Sequence, residues 1–218
     1  MPTKRSVTLY HYSELSDKAK AKARNKERES ALDYEWWDSV YEDFIEICDC
    51  LGIELNDRGN GEKAIWFSGF CSQGDGAYFE GVFRGNPDAV QDIKAHAPQD
   101  EVLHRIAQDL VEDVVVPNNG RLSVRINHTG RYYHAHSMVF QDAVVEDSEG
   151  SEEEMPSDQE EVVTDRLREL ARWLYKTLNE QYIYLMSDER IATSLSENGV
   201  LFFESGREAN IPLDSDTE

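Results

Sequence analysis

No run of apolar residues in this chain approaches the ~18 needed to cross a bilayer, so no membrane-spanning helix is expected. The first residues, MPTKRSVTLYHYSEL, lack the apolar stretch of a secretory leader. Cysteine is scarce. The three present, Cys48, Cys50 and Cys71, are odd in number, and the first two sit too close in sequence to pair easily. That pattern points away from a disulfide framework and towards a reduced cytoplasm. Nucleophile elbows, zinc signatures and internal repeats are all missing from the sequence. Basic residues are few, 22 Lys and Arg against 44 Asp and Glu.

What the chain does have is aromatic and acidic. Four Trp, ten Tyr and eight Phe in a chain 39% hydrophobic can build a core, which excludes a wholly disordered acidic protein. The net charge is -22, and eight of the 22 bases fall between Lys4 and Arg28. Such a surface repels phosphate, so direct nucleic-acid binding is not expected. A basic protein that itself binds nucleic acid is the partner this charge fits. No cofactor is implied, and a homodimer remains compatible with the sequence.

Periodicity organises the chain as a single α+β domain over 1–218. Residues 7–12 read as a short strand and 17–31 as a polar helix capped by Ser16 or Asp17. A second helix is expected over 34–51, with Trp37, Tyr41, Phe44, Cys48 and Leu51 on one side and Gly52 as its stop. Residues 64–70 and 77–83 read as the two strands of a hairpin. Asn86-Pro87 and Pro98 each begin a helix. Residues 122–127 alternate as a half-buried strand, and 132–145 return as its partner. Segment 146–160 reads as a mobile acidic loop, since residues 142–165 hold eleven acids and no base. A long helix to Leu185, a short helix opened by Ser187, a strand at 200–204 and a frayed tail over 211–218 complete the reading. The resulting architecture is an antiparallel sheet of about four strands with helices mainly on one face and a long C-terminal helix.

Two groups of residues stand out as sites. Glu35, Asp38, Glu42, Glu46 and Asp49 recur at helical spacing as an acidic ridge, and Glu152, Glu153 and Glu154 lie in the acidic loop. These eight are the expected partner-binding residues. The second group is Gln73, Asp75, Glu80, His128 and His134, a possible ligand set joining the Gly-rich stretch 72–76 to a histidine turn. That stretch feeds a strand and lacks the Lys-Ser/Thr of a phosphate loop, so the simpler reading has Gly74 and Gly76 at positive φ and Asp75 bonding its own backbone. His128, His134 and His136 show no metal-ligand spacing, and no metal site is expected. Cys48 and Cys50 point about 200° apart on a helix, so they cannot clamp one metal. Trp36-Trp37 and Tyr132-Tyr133 read as packing residues.

Several strings resemble uncharacterised proteins of tailed phages and prophages, some labelled antitoxin-like. They are Leu32–Asp43 with Leu51–Glu54, Phe67–Gly81, His128–His134, Ala171–Tyr175 and Tyr184–Glu189. The resemblance implies a phage origin and supplies no catalytic residue. Together with the charge, it leads to the expectation of a cytoplasmic, non-enzymatic phage protein that binds and inhibits a host nucleic-acid-binding protein of antiviral defence by DNA mimicry. An antitoxin for a cognate toxin, and a small-molecule or metal-dependent enzyme built on the second group, are the alternatives.

Overall fold

A computed structural model describes residues 6–59 and 61–209; the expected tail at 211–218 lies outside them. In chain order the elements are β1 (Tyr10–His11), α1 (Asp17–Arg28), α2 (Asp38–Leu51), β2 (Ile53–Leu55), β3 (Ile65–Phe67), β4 (Ala77–Phe79) and β5 (Gly81–Phe83). Then follow α3 (Ala89–His96), α4 (Glu101–Leu110), β6 (Leu122–His128), β7 (Met138–Glu146), β8 (Glu152–Glu154), α5 (Ser157–Leu185), α6 (Asp188–Glu197) and β9 (Leu201–Phe202). The protein is α+β. No helix among the described residues is long and apolar enough to cross a membrane. The chain gathers into two compact units, one of residues 37–179 and one drawn from 1–36 and 180–218.

The larger unit is built on a five-stranded antiparallel sheet in the order β2-β5-β6-β7-β8. Leu122, Val124 and Ile126 alternate into the core from β6, as their period of two dictates. A bulge breaks the β6–β7 register between Ser123 and Arg125, where Asp142 sits at φ 48. α2 buries Val40, Phe44, Ile47, Cys48 and Leu51 as one stripe. α5 does the same with Val163, Leu167, Leu170, Ala171, Leu174 and Leu178. Phe44 is fully buried; its ring meets Phe79 edge-on at 5.3 Å and stacks with Trp173 at 6.5 Å. One side chain of α2 thereby grips β4 and α5. Asp100 works in a similar way. One carboxylate oxygen accepts the Val102 and Leu103 N–H groups, capping α4, and the other accepts Trp173 Nε1–H at 2.7 Å.

Four element boundaries in the larger unit depart from the expectation. α2 begins at Asp38, not 34, because Trp37 is its N-cap and the Trp37 carbonyl accepts the Tyr41 N–H that opens the helical ladder. The expected strand 77–83 divides at Glu80: β4 pairs with β3 as a separate ribbon, while β5 joins the main sheet. A side chain at Gly81 would stand 2.3 Å from the Glu54 carbonyl, so glycine permits that handover. The return strand begins at Met138, not 132, because residues 129–137 form a turn and a 3₁₀ turn, Ala135–Ser137. Finally, segment 146–160 holds β8 and a tight turn rather than a loop. Asp147 accepts the Glu149 and Ser151 N–H groups, Gly150 takes φ +84, and Met155 buries behind the turn.

The smaller unit has its own core of Tyr12, Leu15, Ala19, Ala23, Ile191, Leu195 and Phe202. β1 pairs with β9, and Ser16 and Ser187 cap α1 and α6. α1 ends at Arg28 rather than 31. Arg24 and Arg28 both pair with Asp188 at the start of α6, and Arg24 also donates to the Tyr12 hydroxyl at 2.7 Å. Hydrogen bonds from Arg24 and Arg28 hold the Asp188 carboxyl below the usual carboxylate range.

Two outcomes follow. Phe44→Ala removes the ring shared by α2, β4 and α5 and lowers unfolding free energy by about 3–5 kcal/mol, read by urea denaturation. Because the Asp188 carboxyl titrates low in the fold, its stabilisation is present above pH ~4 and disappears as pH falls through the lowered value. Asp188→Asn therefore melts below the native chain at neutral pH, and the two melting curves converge in strong acid.

Candidate functional site

The Gly-rich loop and the histidine turn do come together, but they pack directly on each other. Asp75 turns inward on its own loop, accepting the Cys71 and Ser72 N–H groups at 2.9 and 2.7 Å. The Ser72 bond, aided by that from Cys71, holds the Asp75 carboxyl below the usual carboxylate pKa. Gly74 takes φ +127, and a side chain there would strike the Tyr132 ring. Gly76, expected at positive φ, has no such angle. Its requirement is contact, because a Cβ would stand 2.2 Å from the Tyr133 carbonyl.

Beneath this contact lies a run of stacked planar groups. The Arg58 guanidinium sits 4.3 Å from the Trp66 ring centre, Trp66 stacks with Tyr78 at 4.8 Å, and Tyr78 stacks with His128 at 3.8 Å. β3–β4 pairing places Trp66 opposite Tyr78, and β6 delivers His128 from the main sheet. Burial pushes the Tyr78 hydroxyl up to about 12. His128 Nε2 faces the Tyr132 carbonyl at 2.8 Å, an acceptor only, so this nitrogen carries the proton. His134 Nδ1 accepts the His136 N–H at 3.1 Å. Burial, then the neighbouring His136 and Arg172, lowers the His134 pKa, which keeps that acceptor unprotonated.

Of the possible ligand set, Asp75, His128 and His134 are thus occupied by local hydrogen bonds. Gln73 is exposed. Glu80 is half-buried at the β4–β5 handover, its N–H bonded to Ala64 and its carbonyl to Asn56. No cluster of three or more His, Cys, Asp or Glu side chains among the described residues is arranged to hold a metal. His134 and His136 do not alternate on a strand as expected; they flank and join the 3₁₀ turn, with rings stacked at 5.1 Å. No local pattern announces the Arg58–Trp66–Tyr78–His128 run, since its members come from four separate segments.

The acidic residues are placed differently. Asp38, Glu42 and Asp49 face solvent on α2 and make no ion pair among the described residues. Glu46, on the same face, lies 3.4 Å from His96 Nδ1, while Asp43 meets the Nε2 of that ring at 2.7 Å. Glu35 is exposed too but precedes α2, in the smaller unit. From Asp38 to Asp49 the ridge covers about 16 Å of helix, four carboxylates roughly 5.5 Å apart. One strand of B-DNA carries a charge about every 3.4 Å of axis, so the ridge approaches a single strand in density and falls short of a duplex.

Glu152, Glu153 and Glu154 are all exposed on β8, the outer strand of the sheet. Glu152 stands opposite Glu146. α2 packs on β2, the other edge. Four strand spacings separate the edges, roughly 19 Å, so the two acidic groups are not one contiguous array.

The fold and this surface define an α+β protein whose larger unit is strongly acidic, with 29 Asp and Glu against 12 Lys and Arg over residues 37–179. Residues 36–188 match a family described as a domain of unknown function, DUF8835, and the chain belongs to that family. No curated protein and no solved structure matches it. The matched span takes in the whole of the larger unit and leaves out β1, α1 and β9.

Adding a methyl at the loop contact tests the packing described above. Gly76→Ala forces the loop off Tyr133, lowers stability by about 1–3 kcal/mol in chemical denaturation and moves the His128 ring-proton resonances out of the Tyr78 ring-current field.

Proposed function

We propose that this protein binds and inhibits a basic, nucleic-acid-binding protein, its carboxylates taking the place of phosphates. The observation that carries this reading is the row Asp38, Glu42 and Asp49. These exposed charges have no counter-ion among the described residues, on a helix whose opposite face is buried. Such charges are free to meet a cationic surface without first breaking an internal bond. The resemblance to proteins of tailed phages supports a host target in antiviral defence. Charge density sets the form of mimicry: α2 imitates one strand, and the β8 glutamates supply a second, separate contact.

Electrostatic recognition of this kind is screened over ~8 Å at physiological ionic strength and tightens at low salt. The tagged chain should recover a basic nucleic-acid-binding partner from host lysate at low salt and release it at high salt, with duplex DNA competing. Replacing Asp38, Glu42, Glu46 and Asp49 together by Asn or Gln should weaken the isolated complex by about tenfold or more. A complex indifferent to salt, to DNA and to these four substitutions overturns the reading.

A further inference from the structure

The smaller unit holds a cavity of about 580 Å³ that the acidic ridge does not use. This size falls within the range of small-molecule sites. Its floor is apolar: Ala23, Leu195 and Phe202 are buried, and Phe203 is half-buried beside them. The cavity exists because α1 presents alanines to its partners. At Ala19 the gap is closed by Gly206, where even a Cβ would stand 2.2 Å from the Ala19 carbonyl oxygen. One helical turn later, Ala23 meets the cavity with nothing larger than a methyl group.

The rim carries charges of both signs. Lys22, Lys26 and Arg207 line it, with Glu27 and Glu208. Lys22 is exposed and has no ion pair among the described residues, whereas Lys26 pairs with Glu29. The Arg207 guanidinium lies 4.5 Å from the Phe203 ring centre, at the boundary of floor and rim. Because Glu29 already meets Lys26, Lys22 and Arg207 are the cations of the lining left open to a ligand. One negative charge can be met by these two side chains, whereas a polyanion would also meet Glu27 and Glu208.

We propose that this cavity binds an amphiphilic monoanion, a carboxylate on an apolar stem. The stem lies against Ala23, Leu195, Phe202 and Phe203, and the carboxylate faces Lys22 and Arg207. Apolar burial supplies affinity and the cations select the head group.

Titration calorimetry of the full chain with decanoate, beside decyltrimethylammonium as a cationic control of equal stem length, tests both halves. Saturable binding of decanoate and none of the control is expected. Lys22→Glu with Arg207→Glu, both at exposed positions, should weaken decanoate about tenfold or more with little change in melting temperature. Ala23→Leu should fill the floor and also abolish binding. Should that variant melt below the native chain, the Lys22/Arg207 pair decides alone. The proposal is overturned by an absence of saturable decanoate binding, by equal binding of the cation, or by native affinity in the charge-reversed chain.

Discussion

Shortage of positive charge is the constraint from which most of this structure follows. In the larger unit 12 Lys and Arg serve 29 acids, so most carboxylates cannot be paired. No charged or polar residue is buried among the described residues. Where a carboxylate must be held, the backbone holds it. Asp75, Asp100 and Asp147 each accept two main-chain N–H groups within a few residues of themselves. Local amides thus do the work that cations do in a balanced protein, and each of the three fixes a turn or a helix start. The remaining acids face water, which gives α2 its outer row and β8 its glutamates.

The smaller unit solves the opposite problem. α1 carries six Lys and Arg in twelve residues and almost no large apolar side chain. It is held by alanines that allow close approach and by Asp188, which binds two of its arginines. Alanine contact leaves space that larger side chains would have filled, and Lys22 and Lys26 border that space. Basic helix and cavity are therefore two results of one composition.

Features set by local period were legible in the sequence. The stripes of α2 and α5, the glycine stop at Gly52 and the alternation of β6 all depend on residues within a turn or two of each other. The polar reading of Asp75 was legible for the same reason. What escaped depends on distant partners. Nothing near Glu80 announces that the chain changes sheets there; the close approach of the distant Glu54 carbonyl to Gly81 becomes visible only in the fold. His134 and His136 alternate in sequence like strand residues, yet the register of β6 with β7 leaves them in the connection. The acidic ridge could be read from its spacing, but its separation from Glu152, Glu153 and Glu154 required the order of the strands.

That order has one more consequence. Many recognition events recruit an extended peptide by its main chain onto the border of a sheet. β8 offers any such peptide a glutamate at every position, with Glu146 behind, and β2 offers a border only three residues long. Main-chain docking of an uncharged segment is thereby discouraged at both borders. Whatever approaches the five-stranded sheet at its borders is met through side chains, and a lysine- or arginine-rich visitor is the kind that the β8 border would welcome.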